Sequence, residues 1–168
     1  MSATLRTLER ADLPFLHALF NDPEVTRYWF VEPTYSLAAM EDRYNQRIHD
    51  ESERRFVIDD AGRRCGLVEL VDIDLRHRNC EFQIIVAPEA QGNGYAGAAT
   101  RSALDYAFRT LNLHKVYLLV DNLNAAAIHV YQKAGFVSEG VLRQEYFADG
   151  AYQDVTRMAI YQRDYLAD

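Results

Sequence analysis

The chain has 168 residues, of which 49% are hydrophobic and 26% charged, and its formal net charge is −7. That length suits one domain with a sizeable core, and the interspersed apolar and charged residues argue against a disordered chain. The acidic balance argues against sequence-independent binding to nucleic acid, and no apolar run reaches the length needed to cross a bilayer. The opening residues Met1-Ser2-Ala3-Thr4-Leu5-Arg6 lack the apolar core of a signal peptide, so a soluble cytoplasmic protein is expected, without a nucleic-acid or membrane partner. Cys65 and Cys80 stand apart, with no C-x-x-C spacing and no His at metal-ligand distance. Two buried, reduced thiols and no metal are expected.

In chain order, Thr4 to Leu8 reads as a first strand, and Asp12 with Pro14 as a helix start carrying Leu13, Leu16, Leu19 and Phe20 on its apolar stripe. Asn21-Asp22-Pro23 breaks that helix. The segment from Val25 to Tyr35 is aromatic (Tyr28, Trp29, Phe30, Tyr35), a composition more typical of core or a subunit surface than of a ligand cage. A helix is predicted from Ser36 to Asp50, with Leu37, Met40, Tyr44 and Ile48 on one face and Glu41, Asp42, Arg43, Arg47 and Asp50 on a solvated one. Strands at 55–58 and 65–73 flank the turn Asp59-Asp60-Ala61-Gly62, and Asp72, Asp74, Arg76 and His77 mark a polar turn.

The stretch from Asn79 to Ala96 organises the rest. Phe82, Ile84 and Val86 alternate with Gln83 and Ile85 as in a strand buried on at least one face, and Pro88 marks its end. Gly92 and Gly94 let successive backbone N–H groups turn inward, and a helix N-terminus follows, so the loop is a phosphate cradle. It is neither a Walker loop, which needs Gly-Lys-Ser/Thr, nor a dinucleotide G-x-G-x-x-G, because Gly97 comes one residue early. The helix should run to about Leu113 with Leu104, Ala107, Phe108 and Leu111 buried, and Arg101, Asp105 and Arg109 paired on its outer side. Lys115 to Asp121 is a further strand, Asn124 caps a helix from Ala125 to Ala134, and Gly135 stops it. Val137 to Phe147 and Ala151 to Ile160 form a hairpin about Ala148-Asp149-Gly150. The alternation gives a mixed α/β (α+β) fold over residues 1–168, a central sheet flanked by helices with a C-terminal β-hairpin.

Gln91-x-x-Gly94-x-Ala96 resembles the Q/R-x-x-G-x-G/A loop of the GCN5-related N-acetyltransferases. Asn124-x-x-Ala127-Ile128-x-x-Tyr131-x-Lys133-x-Gly135-Phe136 resembles that superfamily's second signature, one strand and one helix later. Longer strings are similar to the bacterial spermidine N-acetyltransferase family: Arg27-Tyr28-Trp29-Phe30-x-Glu32-Pro33, Ile48-His49-Asp50-x-Ser52-Glu53-Arg54-Arg55-Phe56-Val57, Gly66-Leu67-Val68-Glu69-Leu70, Glu81-Phe82-Gln83-Ile84-Ile85 and Leu111-Asn112-Leu113-His114-Lys115.

The resemblance implies a single N-acetyltransferase domain with acetyl-CoA as co-substrate and a polyamine, spermidine or spermine, as acceptor. It implies that Glu81 deprotonates the amine and Tyr131 donates a proton to the leaving sulfur. Ile84, Ile85 and Val86 would pair with the pantetheine arm. Gln91, Gly92, Asn93, Gly94, Tyr95 and Ala96 would hold the pyrophosphate, joined by Asn124, Ala127 and Lys133 at the coenzyme. Acceptor candidates are Glu32, Glu41, His49, Asp50, Glu53, Asp72, Phe82 and Gln83, because a polycation needs separated carboxylates. In the resembling enzymes the aromatic segment and following helix also build a separate polyamine site between subunits of a dodecamer, so a homo-oligomer is expected. The chain departs from that pattern, with Val31, Tyr35 and Ala39 where acids are usual and Arg47 where histidine is common. Those changes bear on the separate polyamine site and on the preference for a polyamine, not on catalysis. Two alternatives stand beside a polyamine enzyme: an acetyltransferase for protein N-termini or other amines, and a non-catalytic polyamine or acyl-CoA sensor.

Overall fold

Strand-forming runs and helical stripes alternate along the chain, and the strands assemble into one seven-stranded sheet in a computed structural model that describes residues 3–30, 32 and 35–167. The strands are β1 (Thr4–Thr7), β2 (Arg54–Asp60), β3 (Arg63–Asp74), β4 (Asn79–Val86), β5 (Lys115–Asp121), β6 (Val137–Ala148) and β7 (Ala151–Tyr161), in the order β1-β2-β3-β4-β5-β7-β6. All neighbours are antiparallel except β4 and β5. That parallel pair is short: Asn79, Cys80 and Glu81 face Lys115, Val116 and Tyr117, and no register continues beyond. Among the described residues the β4 edge from Phe82 to Val86 therefore has no strand partner on that side, while its other edge stays paired with β3.

The helices are α1 (Leu13–Phe20), α2 (Pro23–Thr26), α3 (Leu37–Arg47), α4 (Tyr95–Asp105), α5 (Ala125–Lys133) and α6 (Gln162–Tyr165). One core joins α1, α4 and α5 to the sheet, with Phe82, Phe108 and Phe136 at its centre. Burying such a ring contributes about 1.5–3 kcal/mol. Cys65 and Cys80 lie in this core as free thiols. The terminal hairpin turns at Asp149 and Gly150, both in the left-handed region (φ 50° and 80°), as the Asp-Gly pair predicts.

Several expectations are corrected. Asp12 does not cap α1 through its side chain: its carboxylate accepts from Arg6 at 2.8 Å, from Arg64 at 2.6 Å and from the Glu9 N–H at 2.9 Å. Charge-assisted bonds from two arginines outcompete a cap. On α3, Met40 is buried, but Leu37 and Ile48 are exposed and the helix ends at Arg47. Ser36 caps its start by accepting from Ala39 N at 3.1 Å. The helix after the glycine loop stops at Asp105 and continues as a π-helical turn from Tyr106 to Thr110, which still buries Ala107 and Phe108. On β4, Ile85 is buried while Ile84 and Val86 are half-buried, because the missing partner strand opens that edge. Val31, Pro33 and Thr34, and with them the first of the missing acids, lie outside the described residues.

Candidate active site

The divergence of β4 and β5 leaves a cleft of about 210 Å³ between them. Its floor is the open edge of β4, where Ile84, Ile85 and Val86 lie, and Leu119, Val120 and Asp121 of β5 form the opposite wall. Unpaired strand backbone beside a cleft can accept an extended chain as an added strand.

Glu81 stands at the fork, on the last residue of β4 that pairs with β5. Residues two apart on a strand share a face, and Gln83 Nε2 donates to Glu81 Oε1 at 2.8 Å. Burial pushes the Glu81 carboxyl above its ordinary value; the Gln83 bond opposes this and the nearby Asp72 carboxylate adds to it. The result is a carboxylate that is a stronger base than an exposed one.

Tyr131 enters the cleft from α5. Asn124 fixes the start of that helix by accepting from Ala127 N at 3.1 Å, and both residues are half-buried, with Tyr131 two turns on. The Tyr131 ring meets Phe82 edge-on (centroids 6.2 Å) and Phe136 at 6.0 Å. Its hydroxyl makes no hydrogen bond among the described residues, and burial raises its pKa, so it remains a protonated donor.

At the cleft's end lies the glycine loop. Gly92 and Gly94 both have φ of +78°, a conformation that side chains strain to adopt. Asn93 Nδ2 braces the loop by donating to the carbonyls of Ala90 and Gln91, each at 3.1 Å, and Gln91 donates to Val86 O at 3.3 Å. Gly94 is the first cap of α4 and offers no side chain, so the first turn's N–H groups stay open to an anion. Tyr95 is buried, with its hydroxyl on Asp60 at 2.5 Å, and anchors the loop from beneath. Ala96 is half-buried in the same turn. Lys133 is exposed at the far end of α5.

Of the acceptor candidates, Glu81's neighbours Phe82 and Gln83 line the cleft. Glu53 and Asp72 line a separate cavity that Gln83 also borders. His49 and Asp50 border a shallow surface recess with Glu53, Glu32 lies in another beside Tyr146, and Glu41 is exposed on α3. The aromatic segment packs Trp29 and Tyr35 against the core, as expected, and also supplies Tyr28, Trp29 and Phe30 to the cleft.

Sequence reasoning missed Glu24 and Asp121. Both line the cleft, and among the described residues no lysine, arginine or histidine does. Asp121 is 4% exposed; it accepts from Leu123 N at 2.7 Å and from the Tyr146 hydroxyl. Tyr146 packs edge-on against Phe30 at 4.5 Å and so ties the terminal hairpin to the aromatic segment. A strand-ending Asp before a turn gave no signal of that long-range contact.

The chain matches the family described as acetyltransferase (GNAT) domain over residues 3–137. It is 51% identical over 167 residues to spermidine N(1)-acetyltransferase of Escherichia coli (strain K12), spanning 99% of this chain and 90% of that one. With the enzyme of the same name from Vibrio cholerae it shares 53% over 164 residues, 97% and 95% of the two chains. The crystal structure of spermidine N-acetyltransferase from Vibrio cholerae in complex with CoA and spermine superposes with a TM-score of 0.96 at 53% identity, covering 98% of each chain. The chain belongs to the GNAT acetyltransferase family.

Proposed function

We propose that the protein transfers an acetyl group from acetyl-CoA to a primary amine of a polyamine, spermidine or spermine, by direct attack in a ternary complex. The observation that carries this reading is the composition of the cleft: a half-buried carboxylate, a buried phenol and an anion-binding loop share one opening lined by the acids Glu24, Glu81 and Asp121 and, among the described residues, by no lysine, arginine or histidine. Such a cleft draws in an ammonium group. Relatives about half identical along nearly their whole length are spermidine N(1)-acetyltransferases, and one was crystallised with CoA and spermine.

The coenzyme's pyrophosphate would rest on Gln91 to Ala96, and its pantetheine arm along Ile84 to Val86, with Asn124 and Ala127 at the start of α5 beside it. Glu81 takes a proton from the ammonium group, directly or through water. The free amine attacks the thioester carbonyl, a C–N bond forms, the C–S bond breaks, and the nitrogen gives up its second proton to solvent to leave the neutral amide. The departing sulfur receives the Tyr131 proton, which solvent replaces. Burial raises the basicity of a thiolate as it raises the phenol's pKa, so the two stay matched in the same cleft. Neither cysteine serves as an acyl carrier, since both are buried in the core and Cys80 is pushed up to about 12 by burial. We further propose that residues 1–168 act as one N-acetyltransferase domain, in the cytoplasm, as a homo-oligomer.

Thiol release from acetyl-CoA tests the reading, with spermidine, spermine, peptide amines and no acceptor compared. Saturable release with the polyamines is expected. Release with peptides alone would move the assignment to an N-terminal acetyltransferase, and silence with every acceptor despite CoA binding would leave a sensor.

A further inference from the structure

The side chain of Glu81, the base in the reading proposed above, makes one hydrogen bond among the described residues: Gln83 Nε2 donates to its Oε1 at 2.8 Å. An ionised carboxylate only accepts, so this contact sets the amide with its NH2 group toward Glu81. The other oxygen, Oε2, has no such bond, and it is not one of the buried side-chain atoms left without a partner. It is therefore accessible, on a residue that lines the cleft.

Strand geometry holds the pair together. Glu81 and Gln83 are two apart on β4, so both side chains leave the same face of the sheet. Across the sheet Gln83 stands opposite Glu69 of β3, a buried carboxylate that Arg55 engages at 2.8 Å. With Glu69 taken up by a guanidinium, Glu81 is the carboxylate left to the Gln83 amide. Gln83 is half-buried and borders both the cleft and the neighbouring cavity, a confined place for a flexible side chain.

The other charged and titratable groups around Glu81 act without bonding to it. Asp72 of β3 raises its carboxyl through charge, and Arg157 of β7 lowers it in the same way. Arg157 is held elsewhere, 3.9 Å from the centre of the Tyr117 ring and 3.2 Å from Glu139. Tyr117 of β5 stands opposite Glu81 in the parallel register, and Cys80 precedes it in the core, where burial keeps the thiol protonated. Glu24, Tyr28, Asp121 and Tyr131 share the cleft with it. Among the described residues, only Gln83 touches the carboxylate through a hydrogen bond.

We infer that Gln83 is a positioning residue for acetyl transfer: its amide pins one oxygen of Glu81 and leaves the other to take the proton of the amine. The inference rests on the acetyl-transfer reading and adds to it the group that orients the base. Gln83, a candidate for direct contact with the acceptor, thus acts through Glu81. A pinned carboxylate presents its free oxygen in one place, and the donated N–H favours the ionised form that can accept a proton.

Gln83→Met keeps the length of the side chain and deletes the donor. The pH dependence of kcat/KM with spermidine is measured for the wild-type chain, Gln83→Met, Glu81→Gln and the double variant. Loss of the donor disfavours ionised Glu81, so the acidic limb of Gln83→Met should move up by about one pH unit. The inflection does not depend on how much of a preparation is folded, so a less stable variant still answers. On the acidic limb Gln83→Met should lower kcat/KM about tenfold or more, whereas in the Glu81→Gln background it should change kcat/KM by less than about twofold. An unmoved inflection, an equal loss in both backgrounds, or a higher KM for spermidine at every pH with the inflection in place would each overturn the inference. If Glu81→Gln loses the limb and Gln83→Met leaves the inflection unmoved, this inference falls alone. If Glu81→Gln superimposes on the wild-type profile, the base assignment falls and the role of Gln83 falls with it.

Discussion

The cleft and the cavity next to it are built against the same strand and differ in how their carboxylates are partnered. In the cleft, Glu24, Glu81 and Asp121 share a lining that holds no lysine, arginine or histidine among the described residues; burial holds Glu81 above its ordinary pKa, and Arg157, outside that lining, opposes this only through its charge. In the cavity, Arg47 and Arg55 pair with Glu53 and Glu69. The difference separates two uses of a buried carboxylate. One that is ion-paired within its own chain is spent on structure, whereas one without such a pair is available for a ligand's proton or charge.

The sharpest way to break this comparison is to remove chemistry from the cleft alone. Tyr131→Phe keeps the ring contacts with Phe82 and Phe136 and deletes only the donor. Turnover should fall about 10²–10⁴-fold while CoA affinity, measured by calorimetry, stays nearly unchanged. Equal losses in both would contradict the acid role. Next in size is Asp121→Asn, which removes a cleft acid and keeps an amide oxygen as acceptor for Leu123 N, while its NH2 group can donate to the Tyr146 hydroxyl oxygen. It should raise KM for the polyamine about tenfold with little change in kcat; a fall in kcat alone would place Asp121 in the chemistry instead. The smallest catalytic effect belongs to the cavity. Glu69→Gln leaves Arg55 facing a neutral amide, and chemical denaturation should show a loss of about 1–3 kcal/mol of stability. Turnover of the folded variant should be retained, and a large loss of turnover would show that the two regions are not separable.

Much of this arrangement was legible in the residues themselves. The Asp-Gly turn, the Asn124 cap, the end of β4, the bounds of β5 and the glycine loop are local features, written in propensity and spacing. What escaped was the product of long-range pairing. Asp12 reads as a helix cap until Arg64, 52 residues on, bonds to it. Arg47 reads as solvated because helical spacing does not reveal Glu53, to which it is ion-paired. Asp121 reads as a turn acid because Tyr146 arrives from a strand two elements later. The aromatic segment could be counted from the sequence, but its position over the cleft depends on Phe30 meeting Tyr146.

The pH dependence of kcat/KM with spermidine, for the wild-type chain and for Glu81→Gln, tests the central claim most directly. Glu81 must be ionised to accept a proton, and burial raises its pKa, so activity should climb with pH through an inflection above the ordinary carboxylate value of about 4.3. Glu81→Gln should lose that limb and be most impaired near neutrality, where the amine is almost wholly protonated. Superimposable profiles for the two proteins would show that Glu81 is not the base.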